Sequence, residues 1–342
     1  MSTASKPTIS DVAAHAGVSI ATVSRVVNGG EEASVGVALE TRRRVREAIN
    51  DLGYVPSQAG RTLRRQTSNL VALLIPDITN AFYAAIAHSV ELALRDLGYA
   101  MTLCNTDEDP ELQDKYLQEM QEHQVHAVIL LGAVESAGLE KAVKAGVRMA
   151  FLNRRAPTET RMPFVGIDNR AAGAAVARHF LAHRYDPIAV IHGPLGSSAS
   201  RERYEGFEQA LRANGVELAA DCIEHGDLTI DSGYTAAERM LRTGRRPAAI
   251  FCGNDLMAYG AYRRCRDLQI RVPDDIALFG FDDNPMNDWL ADWLSTVRVP
   301  YDRFGSATAG VIGRMLSAAD EGPRETPEEI LLPYQLVIRG SS

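Results

Sequence analysis

Long apolar runs are missing from this sequence. No stretch of 18 consecutive apolar residues occurs, so nothing suggests a membrane span. No apolar leader opens the chain, so neither secretion nor a membrane partner is expected. Cysteine is scarce: Cys104, Cys222, Cys252 and Cys265 stand far apart, with no CxxC pair and no metal spacing. Reduced, mostly buried thiols in a cytoplasmic protein are expected. Signatures of catalysis are absent as well, since no GxSxG elbow appears. The segment GPLGSS at 193–198 resembles a phosphate cradle but lacks the Lys-Ser/Thr of a P-loop. His179 and His183 share a helix face without the acidic partner of an HExxH zinc site, and His123 and His126 are the same case. They read as solvated or packing side chains. No catalytic residue, no metal and no cofactor is expected.

What is present is an ordinary globular composition with an uneven charge. A chain of 342 residues exceeds one compact core, so two or three domains are expected. The formal net charge is −8, the wrong sign for a polyanion partner. The distribution of that charge along the chain matters more than its sum. Residues 1–67 hold nine Lys/Arg against six Asp/Glu, leaving 27 basic against 38 acidic residues in the remainder. Only the small amino-terminal part has the sign that phosphate contact requires.

That part contains TISDVAAHAGVSIATVSRVVN, residues 8–28. Thr8 is placed to cap a first helix, with Asp11 closing a capping box. Val12, Ala13 and Ala16 give this helix one apolar face. Gly17 suits a tight left-handed turn. Ser19 caps a second helix, whose Val23, Val26 and Val27 turn inward at three- and four-residue spacing. Ile20, Ala21, Thr22, Ser24, Arg25 and Asn28 are then exposed, a set suited to base edges and phosphates in a major groove. By pattern alone, a helical hairpin that binds no nucleic acid fits these residues too. A loop follows, then a third helix over 41–52 with Val45, Ala48, Ile49 and Leu52 inward and its arginines outward. Gly53 stops it, and Tyr54-Val55-Pro56 forms an extended break. The segment SQAGRTLRR, 57–65, is short and basic, with Leu63 its one large apolar residue. Alone it is a marginal helix, and a linker that folds when held by DNA and a partner copy fits it better.

From Leu70 onward, apolar runs alternate with amphipathic segments. Strands are predicted at 70–75, 101–104, 128–131, 149–152, 188–192, 248–252 and 276–281. Helices are predicted at 82–97, 111–123, 135–145, 170–183, 201–214, 232–242 and 256–268. Continuous apolar strands separated by helices imply parallel sheets covered on both faces. About seven such units suggest two similar lobes.

The segments DVAAHAGVSIATVSRVVN (11–28), ETRRRVREAINDLGYVPSQAGRTL (40–63), LLIPDITNAFY (73–83), GPLGSSASRERYEGF (193–207), FCGNDLMAYGA (251–261), GFDD (280–283) and LVIRG (336–340) together resemble the lactose-repressor (LacI/GalR) family of bacterial transcription regulators, in order and spacing, over essentially the whole chain. The resemblance implies an all-α helix-turn-helix DNA-binding domain at 1–56 and a hinge helix or linker at 57–67. It implies an effector-binding α/β core at 68–342 of two Rossmann-like lobes, periplasmic-binding-protein-like. One lobe is expected at about 68–166 and 298–329, the other at about 167–297 and 330–342, with crossings near 165–168, 295–299 and 328–332.

Function follows by the same resemblance. The chain is expected to be a transcriptional regulator, a repressor, that binds a pseudo-palindromic DNA operator as a homodimer under control of a small-molecule effector. Ile20, Ala21 and Arg25 occupy base-reading positions, and arginine takes guanine bidentately. Thr8, Ser19, Thr22, Ser24 and Asn28 suit phosphates, and Tyr54 joins the DNA-binding set. Leu63 matches a leucine that wedges between base pairs from the minor groove. In the core, Arg203 matches an arginine used on effector hydroxyls or carboxylates. Asn254 and Asp282 follow strand ends, where open sheets place ligands, and Asn153 is a further candidate. Phe82 and Tyr83 supply an apolar wall. Each also has a structural alternative: Asp282 as a turn former, Asn254 as a helix cap, Arg203 in an ion pair. Asp283 reads as structural.

Departures from the family are specific. The loop after Asn28 is longer than usual, and Ala38 sits where a capping hydroxyl is expected. Ser57 and Gly60 replace an asparagine and an alanine in the hinge, and glycine costs roughly 0.5–1 kcal/mol in a helix. Leu228 and Val299 stand where some members have an aromatic and a polar ligand contact. A small sugar, sugar acid or polyol therefore fits better than a nucleobase. No leucine heptads follow LVIRG, which favours a dimer over a coiled-coil tetramer. Two other readings remain: a secreted solute-binding protein, which needs a leader and not residues 8–63, and an enzyme on the α/β lobes, which needs catalytic residues.

Overall fold

A computed structural model describes residues 7–28, 36–54, 68–158, 161–242, 246–317 and 327–342. Ser57, Gly60 and Leu63, and most of the loop after Asn28, lie outside the described residues. The chain forms two compact units, Met1–Ser68 and Asn69–Ser342.

The first unit is three helices around a small apolar core: α1 (Ile9–Ala16), α2 (Ile20–Asn28) and α3 (Leu39–Leu52). Val12, Val23 and Val45 are fully buried at its centre, flanked by Ala13, Ala16 and Ala48. The Thr8–Asp11 capping box forms: the Asp11 carboxylate accepts the Thr8 backbone N–H at 2.7 Å, and the Asp11 N–H reaches the Thr8 hydroxyl at 3.4 Å. Gly17 takes φ +63°, the left-handed conformation the turn needs. Two expectations are corrected here. The third helix starts at Leu39 rather than at residue 41, and Ala38 offers its first turn no side-chain cap. Nor do all its arginines face out. Arg44 reaches back across the turn and donates to the carbonyls of Ala16 at 2.7 Å and Gly17 at 3.3 Å, satisfying carbonyls that the end of α1 leaves open.

The second unit holds two parallel sheets. The first has six strands in the order β11–β5–β4–β3–β1–β2, where β1 is Leu70–Ile75, β2 Ala100–Asn105, β3 Ala127–Leu131, β4 Met149–Leu152, β5 Phe164–Ile167 and β11 Glu329–Leu332. The second has four, β7–β6–β8–β9, with β6 Ile188–His192, β7 Ile223–His225, β8 Ala249–Cys252 and β9 Ala277–Phe279. A two-stranded antiparallel ribbon pairs β10 (Thr296–Arg298) with β12 (Gln335–Val337). Central strands such as Ala127–Leu131 are buried along their whole length, because helices cover both faces.

The helices are α4 (Ala81–Asp96), α5 (Pro110–Glu122), α6 (Ala137–Lys144), α7 (Asn169–Ala182), α8 (Ser198–Arg212), α9 (Ile230–Arg242), α10 (Asp255–Asp267), α11 (Asn287–Leu290) and α12 (Tyr301–Ser317). Among the described residues, three helix pairs approach backbone to backbone, too closely to admit a side chain. A Cβ at Gly173 on α7 would overlap the Arg203 carbonyl on α8, and one at Gly206 on α8 would overlap the Arg170 carbonyl on α7. Gly233 and Gly260 join α9 to α10 in the same reciprocal way, and Gly305 sets α12 against Ser89 of α4.

The predicted helices and strands of the core are present with ends shifted by a few residues; the last strand shrinks from 276–281 to Ala277–Phe279. Missing from the prediction were β5, β7, β10, β11, β12, α11 and α12. The strands among them are only three or four residues long, too short for a pattern to declare itself. Helix α12 was hidden by Gly305, Gly310 and Gly313, residues of poor helix propensity, of which Gly305 is required by the contact with Ser89. All four cysteines are buried. No helix among the described residues is long and apolar enough to cross a membrane.

Candidate functional site

Two sites were expected, one in each unit. In the first unit, α2 presents Ser19, Ile20, Ala21 and Arg25 to solvent, with Ile20 49% exposed despite being aliphatic. Thr22 and Ser24 are half-buried. The Ser19 hydroxyl accepts the Thr22 N–H at 3.2 Å and shares a 2.9 Å hydrogen bond with the Thr22 hydroxyl, so both residues also begin the helix. Thr8 is exposed, but its hydroxyl serves the capping box. Tyr54 is half-buried against the helical core. Asn28 ends α2, and its side chain and all of Leu63 lie outside the described residues.

In the second unit, the carboxyl ends of the two parallel sheets face a shared cavity. Phe82, Tyr83, Asn153, Arg203, Asn254 and Asp282, separated by up to 200 positions in the chain, all line it. Asn80, Arg154, Ser197 and Ser200 complete its polar wall, and Leu228 covers one side. Its volume is only about 30 Å³, room for one water.

Local structure explains each placement. Asn80, Ser197 and Asn254 are the N-caps of α4, α8 and α10. Their side chains accept the N–H groups of Phe82, Ser200 and Met257 at 3.0, 3.5 and 2.9 Å. Asn254 therefore is a helix cap, and its amide also donates to the Leu228 carbonyl at 2.9 Å. Three lining residues that are not glycine adopt positive φ: Asn153 at 62°, Leu228 at 68° and Asp282 at 111°. Such backbone costs on the order of 1–3 kcal/mol per residue and clusters at ligand clamps. Phe82 packs edge-on against Tyr83, with ring centroids 5.1 Å apart.

Arg203 makes no ion pair within contact distance among the described residues. Its guanidinium lies 3.3 Å from the centroid of the Phe281 ring, donates to the Gly253 carbonyl and reaches the Asn169 Oδ1 at 3.0 Å. Its Nε and the Asn169 amide nitrogen are buried without a partner. Burial pulls the Arg203 pKa down to about 10, against the opposing charge of Asp282. Burial likewise pushes the Asp282 carboxyl well above the usual carboxylate range, with Arg203 opposing the shift. Asp282 is not simply a turn former: its carbonyl accepts the Tyr301 hydroxyl at 2.8 Å while its side chain lines the cavity. Asp283 faces away, between Arg298 at 2.6 Å and Arg339 at 2.8 Å.

The residue that sequence reasoning missed is Arg154. It is 97% buried, follows Asn153 at the end of β4, and donates through Nη2 to the Tyr83 hydroxyl at 3.1 Å and to Glu108 at 2.7 Å. Its signal was a cation next to a predicted site residue just beyond a buried strand. Asp255, the first residue of α10, was also missed. Its carboxylate accepts from the Thr296 hydroxyl at 2.6 Å, the Asn284 N–H at 2.7 Å and the Asn287 amide at 2.8 Å. Through Thr296 it ties the helix beside the cavity to ribbon strand β10. The histidines are accounted for locally: His183 Nδ1 lies 2.9 Å from the His179 carbonyl, and His179 Nε2 lies 3.1 Å from the Ser342 hydroxyl.

Known proteins align with this chain in both units. Residues 8–57 match the family described as bacterial regulatory proteins, lacI family, and residues 177–342 match the periplasmic binding protein-like domain. The chain is 33% identical to the HTH-type transcriptional regulator DegA of Bacillus subtilis (strain 168), over 98% of both chains. It is 30% identical to the ribose operon repressor of Escherichia coli (strain K12), over 98% of this chain and 99% of that one. Among solved structures, the lac repressor dimer bound to operator and the anti-inducer ONPF superposes with a TM-score of 0.84 at 25% identity, covering 98% of each chain. The complex of the transcriptional regulator CelR with cellobiose superposes at 0.73 with 30% identity, covering 98% of this chain and 100% of that one.

Proposed function

This chain belongs to the lacI family of bacterial regulatory proteins, and from that premise we propose how its two sites work together. It is a DNA-binding transcriptional regulator, not an enzyme. Two copies place their α2 helices in successive major grooves of a pseudo-palindromic operator. Ile20, Ala21 and Arg25 meet base edges; Thr8, Ser19, Thr22, Ser24, Asn28 and Tyr54 hold the backbone; Leu63 enters the minor groove. The setting is the bacterial cytoplasm, where the DNA is. A sugar, sugar acid or related metabolite binds between the lobes of the core.

The observation that carries this reading is the convergence of Phe82, Tyr83, Asn153, Arg203, Asn254 and Asp282 on one cavity. Small-molecule pockets usually span ~300–1,000 Å³, far more than the present space, so binding requires the lobes to move. The crossings expected near 165–168, 295–299 and 328–332 coincide in sequence with β5, β10 and β11, which supports transmission of that movement along the core. Effector and operator are then linked by a coupling free energy of about 1–3 kcal/mol that acts equally in both directions.

Fluorescence anisotropy on a labelled operator, with and without effector, tests the reading. Affinity should fall steeply between low and physiological salt; a flat response would remove the phosphate grip from the account. Arg25→Ala should weaken specific binding by ~1–3 kcal/mol, roughly 5- to 150-fold, and relax preference at one base pair, while non-specific binding changes little. A thermal-shift screen of sugars and sugar acids should find a ligand that stabilises the wild type and not Arg203→Ala. Equal stabilisation of both proteins would place the ligand elsewhere.

A further inference from the structure

We propose that the effector of this chain is anionic: a small polyol whose carboxylate or phosphate is received by Arg154 beside the amino ends of three helices. This rests on the reading that the cavity between the lobes is the effector site. The residues lining the cavity include two guanidiniums, Arg154 and Arg203, against one carboxyl, Asp282. Both arginines are more than nine-tenths buried. Buried charge is costly unless it is matched, and here the match inside the cavity is incomplete.

The donors point the same way. Arg154 spends only Nη2 on Tyr83 and Glu108; its Nε and Nη1 make no hydrogen bond with any described residue. Glu108 is itself 42% exposed, a partner at the rim rather than inside. The Nε of Arg203 is buried without a partner. A guanidinium is a planar fork of donors shaped for two oxygens of one acid.

Helix ends add to this field. Asn80, Ser197 and Asn254 bring the amino termini of α4, α8 and α10 to the cavity wall. Chains commonly place Asp or Glu in a first helical turn, where the helix dipole favours negative charge. Neither α4 nor α8 has one there. Asp255 in the first turn of α10 is turned to Thr296, Asn284 and Asn287. Helix amino termini of this kind hold acids through backbone N–H groups.

The test is thermal shift and calorimetry on the full chain at fixed ionic strength. Inorganic phosphate and D-glycerate are compared with chloride, which presents the acid without depending on sugar stereochemistry. Matched pairs follow: glucuronate and glucose 6-phosphate, each against glucose. The expected result is stabilisation by phosphate or glycerate, loss of that shift in Arg154→Gln, and about tenfold tighter binding of the acidic member of any pair that binds. Whichever of phosphate and glycerate stabilises more identifies the source of the acid. Arg154→Lys keeps the charge without the fork and should fall between. Should Arg154→Gln be poorly folded, Glu108→Gln reads the same arginine by freeing it, and acid binding should tighten. No shift over chloride, an equal shift in Arg154→Gln, or a neutral sugar that binds as tightly as its acid overturns the proposal. A neutral sugar whose stabilisation vanishes in Arg203→Ala would leave the site reading standing while this inference falls; a ligand indifferent to Arg203→Ala and Asn254→Ala would remove the site itself.

Discussion

Gly206→Ala should lower the stability of the second unit by about 1–3 kcal/mol, the usual cost of forcing a methyl group into a filled contact. The reason is local. The new Cβ would overlap the carbonyl of Arg170 on α7, and neither backbone can yield without separating the helices. Arg203 stands one turn earlier on the same helix, and its own carbonyl meets Gly173. The substitution therefore also displaces the guanidinium from Gly253 and Asn169, and ligand affinity should fall along with stability. Both tryptophans, Trp289 and Trp293, belong to the second unit, so their fluorescence during urea unfolding reports on it directly. Gly196→Ala is the control, since nothing lies within 4 Å of its added carbon. An unchanged unfolding midpoint for Gly206→Ala would mean that the helices do not cross this closely.

Asp255→Asn should flatten the pH dependence of the same unit. Burial lifts the Asp255 carboxyl to about 7 from an ordinary value of 3.8, even though hydrogen bonds from Thr296, Asn284 and Asn287 pull it down; the charge of Asp283 adds to the rise. The folded state thus binds its proton more tightly than the unfolded one. The stabilisation is complete below the unfolded value and is lost as pH rises through about 7. The shift corresponds to at most about 4 kcal/mol between pH 4 and pH 8. Asparagine can keep the three hydrogen bonds if the Thr296 hydroxyl turns to accept. Relative to wild type, the variant should gain stability between about pH 4 and 7 and level off above. Asp282 shifts in the same direction and is raised in part by the charge of Asp255, so the difference between the proteins reports the two coupled carboxyls together. A constant difference across that range would show that the carboxyl titrates normally.

Much of this was legible in the residues. The capping box at Thr8, the turn at Gly17 and the inward Val23 follow from local chemistry, and all three form. The buried strands announced themselves as apolar runs, because sheets covered on both faces tolerate little else. What stayed hidden depends on partners distant in sequence. Arg44 looks like any surface arginine of a helix until the carbonyls of Ala16 and Gly17 are placed beside it. Strands β10 and β12 carry Arg298 and Gln335 and are defined by pairing with each other, not by pattern. Arg154 is a charged residue in a loop, and only the fold shows that it is buried. Helix α12 went unpredicted because three glycines interrupt it, and the contact with α4 that requires one of them, Gly305, has no local signature.

The edge strand β11 lies more than 160 residues after its neighbour β5. All four strands of the second sheet lie between residues 188 and 279, by contrast. On the ribosome, of the two parallel sheets the one that begins first is therefore completed last. Until residues 329–332 emerge, the nascent chain carries β5 as an open, apolar sheet edge beside a neighbour that already has all its strands, and such edges are where aggregation starts.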